Sequence, residues 1–313
     1  MWKFNFETLT PLHISNGNQL AYNLEYITVD DNVAKLNLIK ASKKIAKAGL
    51  FNFYSDYKFY KVIKIIEENK NLFSDDDFEY NIYAETSFIE YLNSERRDGR
   101  KIIQEFINSN GNFYVPGSSV KGMLTTILRR DIETNPLGIN PNNANIADKF
   151  VITDSNFIDP KNFVVDIANR PPAINLITLD PGVEFNLEIR KLGNLSVVDL
   201  KNKLSTYSYT QMKKAEKFVA KFKDMERTPK GATAYYKALE KMLNELNLSN
   251  DEYLVNLGFG GGSYYKIYSD VKIPTFKSKK RRNTEEEAHT TFTVNIENEL
   301  YQLGWCKLKI EEN

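Results

Sequence analysis

The alternation of apolar and polar positions divides the chain into elements. Residues 2–9, Trp-Lys-Phe-Asn-Phe-Glu-Thr-Leu, alternate as a strand with one buried face does. Residues 11–18 read as a turn, and Tyr26–Val29 and 33–36 flank the polar hairpin turn Asp30-Asp31-Asn32. From 40 to 108 the spacing is mostly helical. Ile45, Ala48 and Phe51 suit one helix, Tyr60, Val62, Ile63 and Ile66 another, and Phe88, Tyr91 and Leu92 a third. Ile102, Ile103, Phe106 and Ile107 are read as finishing that run. Asp75, Asp76 and Asp77 read as a loop or helix start.

Phe113-Tyr114-Val115 predicts a short strand, broken by Pro116-Gly117. Ser118 or Ser119 can then cap a helix whose Val120, Met123, Leu124, Ile127 and Leu128 form one apolar stripe. Residues 135–145 predict a loop. Strands follow at 150–153, ending at Asp154-Ser155, and at 163–167 and 183–189. Residues 209–226 predict an amphipathic helix with Met212, Ala215, Phe218, Val219, Phe222 and Met225 inward and Lys213, Lys214, Lys217 and Lys221 outward. A second helix runs to Leu246, and residues 303–310 predict a closing strand.

Two junctions carry candidate chemistry. Lys121 stands in the first turn of its helix, where the helix dipole disfavours a cation by about 0.3–1 kcal/mol. An anion at the same place would explain it. Gly117, Ser118, Ser119, free backbone amides and Lys121 could form a phosphate cradle; an ordinary strand-turn-helix with a solvated lysine fits equally. The Walker spacing is absent. Further on, Gly258, Gly260, Gly261 and Gly262 precede Lys266. Such glycines let backbone amides approach a sugar-phosphate chain, or simply make a loose hairpin turn. The basic run 277–282, followed by Glu285, Glu286 and Glu287, predicts an exposed loop.

Composition narrows the choice. Among 313 residues, 42 Lys and Arg against 41 Asp and Glu leave a net charge of +1, so any RNA site must be a local patch. The single cysteine, Cys306, excludes a disulfide framework or a multi-cysteine zinc site. No zincin spacing, nucleophile elbow or carboxylate metal cluster appears, so no metal or cofactor is expected. With no signal-peptide pattern and no apolar run of spanning length, a cytoplasmic protein without membrane contact is expected. His13 and His289 are the only histidines.

Pro116-Gly-Ser-Ser-Val-Lys-Gly122 before a helix ending in basic residues resembles the signature of the RAMP superfamily, the repeat-associated proteins of CRISPR effector complexes. Gly258-x-Gly-x-Gly-x-x-x-Lys266 resembles its second signature, and Pro11-Leu-His-Ile14 its first loop. The chain departs from the pattern at Ser15, where glycine is usual, and at Asn175-Leu176, where many relatives carry an Arg/Glu pair. The resemblance implies an α+β fold of two ferredoxin-like, RRM-like domains, residues 1–155 with a helical insertion at about 40–110, and residues 156–313 with the glycine loop. It also implies RNA binding by His13, Gly117, Ser118, Ser119, Lys121, Gly258, Gly260, Gly261, Gly262 and Lys266. The RRM stacking motif is missing, so backbone contacts indifferent to base identity fit better. Length and motif order resemble most the subunits that cap the 3′ side of the guide RNA in type III-A Csm complexes and assist its maturation. That implies guide CRISPR RNA, backbone RAMP and other Csm subunits, and recruited cellular nucleases as partners, with no catalytic activity. Three alternatives stay open: a RAMP endoribonuclease using His13, a backbone RAMP subunit, and a protein scaffold without RNA contact.

Overall fold

Alternation is realised most directly at the N terminus. In strand β1 (Trp2–Thr8), Phe4, Phe6 and Thr8 are buried while Lys3, Asn5 and Glu7 face outward. A computed structural model describes residues 2–50, 59–129, 150–168, 174–192, 196–223, 232–261, 265 and 293–312. The loop at 135–145, the charged run 277–287, Gly262, Lys266 and His289 lie outside the described residues. After β1 come β2 (Ser15–Ala21), the hairpin β3 (Tyr26–Val29) and β4 (Asn32–Leu36), and helices α1 (Leu38–Lys47) and α2 (Phe59–Glu68). Strand β5 (Phe78–Ala84), helix α3 (Thr86–Ser94), strand β6 (Ile102–Phe106) and the small hairpin β7 (Asn108–Ser109) and β8 (Asn112–Phe113) lead to α4 (Gly117–Arg129). The remainder is β9 (Phe150–Ile152), β10 (Phe163–Ala168), β11 (Ile174–Leu179), β12 (Glu184–Leu192), α5 (Val197–Lys223), α6 (Ala232–Glu245), β13 (Glu252–Asn256), the hairpin β14 (Thr293–Ile296) and β15 (Glu299–Gln302), and β16 (Trp305–Glu312).

Two sheets organise the α+β molecule. The smaller has the order β13-β16-β1-β12-β9, with every neighbouring pair antiparallel. Read along the chain, β1, α4, β9, β12, α5 and β16 give the ferredoxin-like β-α-β-β-α-β order. The larger sheet runs β2-β6-β11-β10-β5-β4-β3, with β10 parallel to β5 and β11 parallel to β6. One core joins the two. It contains Phe4, Phe6 and Phe185 from the first sheet, Phe106 and Phe163 from the second, and Val120, Leu124 and Ile127 from α4. Phe163 lies 4.9 Å from Phe106 and 4.4 Å from Phe113, centroid to centroid. Each such ring contributes about 1.5–3 kcal/mol by leaving water. Strands from both sides of residue 155 enter each sheet, so the expected line between 155 and 156 does not fall between the sheets.

Several sequence expectations change. Ile102–Phe106 is a strand, not the end of a helical run, and Phe78–Ala84 is another strand within the span read as helical. Among the described residues, the helical part of that span comprises α1, α2, α3 with the expected Phe88, Tyr91 and Leu92, and the 3-10 turns Lys70–Leu72, Asp75–Asp77 and Asp98–Arg100. It packs Ala41, Ile45 and Ile66 against Ile27, Ala34 and Leu36 of the larger sheet. Ser15–Asn18 belong to strand β2 instead of a turn, and Ile174–Leu179 adds a strand that the spacing did not mark. Helix α5 begins at Val197, and Lys214, expected outside, is buried.

Candidate nucleic-acid interface

The Pro-Leu-His loop leaves β1 and is stitched to β11. Leu12 and Leu179 exchange both backbone hydrogen bonds, at 2.9 and 2.8 Å. His13 Nδ1 donates to the Ile177 carbonyl at 2.8 Å, which fixes the proton on Nδ1. The ring is 1% exposed and stands edge-on to Phe106 and Phe259, with centroids at 6.1 and 5.8 Å. Burial pulls its pKa down to about 4 against the opposing effect of the Ile177 hydrogen bond. At neutral pH the imidazole is uncharged and has no path to solvent.

The glycine loop sits directly on that turn. Phe259 N–H donates to the His13 carbonyl at 2.8 Å. At Gly258, with φ +74°, a Cβ would come 2.4 Å from the same carbonyl oxygen and 2.7 Å from Leu12 Cδ1. At Gly260, with φ +85°, it would meet Leu303 Cδ1 at 2.6 Å. Both therefore require glycine for close packing within the protein. The sequence reading gave these glycines to a sugar-phosphate chain. In the structure their near neighbours are the Pro-Leu-His loop and Leu303.

At the start of α4 the pattern is similar. The Gly117 amide donates to Asp154 Oδ1 at 2.8 Å, so a carboxylate of the chain already stands where an anion was expected. A Cβ on Gly117 would lie 2.5 Å from the carbonyl oxygens of both Ile152 and Thr153. Val115 N–H donates to Ser155 Oγ and Ser155 N–H to the Val115 carbonyl, each at 2.9 Å. The Asp154-Ser155 turn is thus the structural partner of the Pro-Gly-Ser-Ser segment. Ser118 is exposed, and Ser119 and Lys121 are half-buried.

Four sequence-distant segments meet in one cleft of about 420 Å³. Ile14 and Ser15 form one wall, Ser119, Gly122, Met123 and Thr126 of α4 another, and Asn256 to Phe259 with Tyr207 of α5 the rest. Of the expected site residues, Ser119 and Gly258 line this cleft. His13, Gly260 and Gly261 are buried, and Gly117 is buried beside Asp154. Gly122, Thr126, Tyr207, Asn256 and Phe259 were missed. A glycine inside a helix and a phenylalanine between glycines were the available signals.

The outward face of the five-stranded sheet is built differently. It presents paired charges, with Lys307 Nζ 2.6 Å from Glu7 and 3.5 Å from Glu252, and Lys309 Nζ 2.9 Å from Glu311. Such a face does not offer rings for base stacking. Among the described residues, no three His, Cys, Asp or Glu side chains converge as a metal site, and no helix is long and apolar enough to cross a membrane. Asp77, in the acidic run, is paired with Lys44.

Comparison with known proteins gives three results. A model of the RAMP superfamily matches residues 5–265. A chain from a cryo-EM structure of a Csm–crRNA–target RNA ternary complex of a type III-A CRISPR-Cas system superposes with a TM-score of 0.63 at 15% identity. The match covers 99% of this chain and 100% of that one. The crystal structure of T.onnurineus Csm5 superposes with a TM-score of 0.53 at 17% identity, covering 82% of this chain and 90% of that one. No curated protein matches the sequence.

Proposed function

We propose, starting from the fact that this chain belongs to the RAMP superfamily, that it is a non-catalytic RNA-binding subunit capping the 3′ end of the guide in a type III-A Csm interference complex. In that role it assists guide maturation and antiviral defence. Its partners are the 3′ part of the guide CRISPR RNA, the backbone RAMP subunits, other Csm subunits and recruited cellular nucleases. The observation that carries this reading is the meeting of the Pro-Leu-His loop, the start of α4 and the glycine loop in one cleft. Likeness to a chain of a Csm–crRNA–target RNA complex over 99% of this chain, and to Csm5 over 82% of it, supports the same reading.

Lys121 follows Ser119 on α4, close in sequence to the cleft wall, and makes no hydrogen bond or ion pair among the described residues. A backbone phosphate is its natural partner. The endoribonuclease reading would need His13 to exchange protons with RNA. A buried ring whose Nδ1 proton is committed to a carbonyl speaks against it.

Binding of unrelated RNA sequences to the full chain across a salt series tests the reading. Lys121→Ala should weaken all of them about equally and lower the salt slope by about one. Loss confined to one sequence, or no RNA binding by the parent, would refute it. Highly purified protein should leave repeat-derived RNA intact with or without divalent metal; cleavage abolished by His13→Ala would restore the enzyme.

A further inference from the structure

We infer that the cleft takes one unstacked nucleobase of the bound RNA, with Phe259 at its rim. This rests on the RNA-binding reading and specifies which part of the RNA enters. Among the described residues the cleft is lined by hydroxyls, a thioether, aliphatic groups and aromatic rings, and no charged side chain forms its wall. A phosphate would lose its hydration there without gaining a cation. A flat, neutral heteroaromatic ring loses little and gains stacking and van der Waals contact. The volume of about 420 Å³ is at the small end of the roughly 300–1,000 Å³ found for small-ligand sites, enough for a single base with its sugar.

One further feature, Gly122, points the same way. It is exposed in the interior of α4, and an added Cβ would meet nothing within 4 Å. Packing does not require a glycine at this position, and what its absent side chain preserves is the open cleft. Phe259 is 40% exposed, and the edge-on contact with His13 supports its ring.

The test uses the full chain, a single-stranded RNA oligomer, and its abasic counterpart with the same sugar-phosphate backbone. The parent should bind the oligomer with bases about tenfold more tightly than the abasic one. Gly122→Leu has space to fold and fills the cleft. It should bring the two affinities within about twofold of each other, and Phe259→Ala should act in the same direction. If Gly122→Leu, with an unaltered melting temperature, keeps the parent's discrimination, the bases are read elsewhere and the cleft proposal is wrong although RNA binding stands. If the parent binds both oligomers alike, the proposal is also overturned. If the parent binds neither, the RNA reading itself has failed.

Discussion

His13 shows how one residue type can be noticed for the right reason and then placed by facts that sequence does not hold. It was legible as a candidate because it sits in a motif beside a strand end. Its burial between Phe106 and Phe259, and its bond to Ile177, depend on residues far away in the chain. Because burial lowers the folded pKa to about 4 while an unfolded histidine titrates near 6.5, the unfolded state binds the extra proton between those values. The stability contributed by neutral His13 is therefore complete above pH 6.5 and lost as pH falls towards 4, by about 3 kcal/mol. Denaturant titrations of the parent and His13→Phe should show that acid-side slope only in the parent. The glycines separate in the same way. Gly117→Ala forces a Cβ to 2.5 Å from two carbonyl oxygens and should cost more than about 3 kcal/mol. Gly122→Ala meets nothing and should stabilise α4 by up to about 1 kcal/mol. Melting temperatures of the two variants check the contrast.

Among elements, α4 was legible because its stripe is long and regular, and all five of its predicted apolar positions are buried. Strand β6 was not. Ile102, Ile103 and Phe106 repeat at a spacing that a helix also produces, and a short strand with buried residues on both faces has no clean alternation. Its Glu105, which no hydrophobic pattern explains, is held by Lys35 at 2.7 Å, Asn16 at 2.8 Å and Tyr80 at 2.8 Å. The hairpin of β14 and β15 raises a different point. Val294 and Leu303 pack on Ala168 and Leu176 of the larger sheet, beside a cluster of Glu85, Asp166, Asp180 and Glu297. Asp166 is fully buried, and its Oδ1 accepts a hydrogen bond from the Ile167 amide at 2.6 Å. Burial, reinforced by the neighbouring carboxylates, pushes Asp166 up to about 8 and Asp180 up to about 7. Unfolded aspartates ionise near 3.8, so the stability these groups contribute is full below that value and is lost as pH rises through 7 and 8. Asp166→Asn keeps the shape without the charge. It should be more stable than the parent by about 1–3 kcal/mol at pH 8 and about equal to it at pH 4, by chemical denaturation at both.

At the scale of the whole molecule, the motifs announced the family while the architecture stayed hidden. A linear reading separates the chain into halves, but β1 lies between β12 and β16, and β6 lies between β2 and β11. Such crossings are set by long-range register and leave little trace in local periodicity. A subunit that repeats along a guide must present two complementary surfaces, because only head-to-tail contacts propagate. Here α1 and α2 cover part of the β3–β4 end of the larger sheet, which suits a terminal position. The most direct test is the mass of the intact assembly, purified after co-expression with the other complex subunits and guide RNA. It should contain a single copy of this chain beside several backbone subunits, cross-linked to the 3′ part of the guide. Several copies at regular spacing along the RNA would contradict the cap and assign this chain to the backbone.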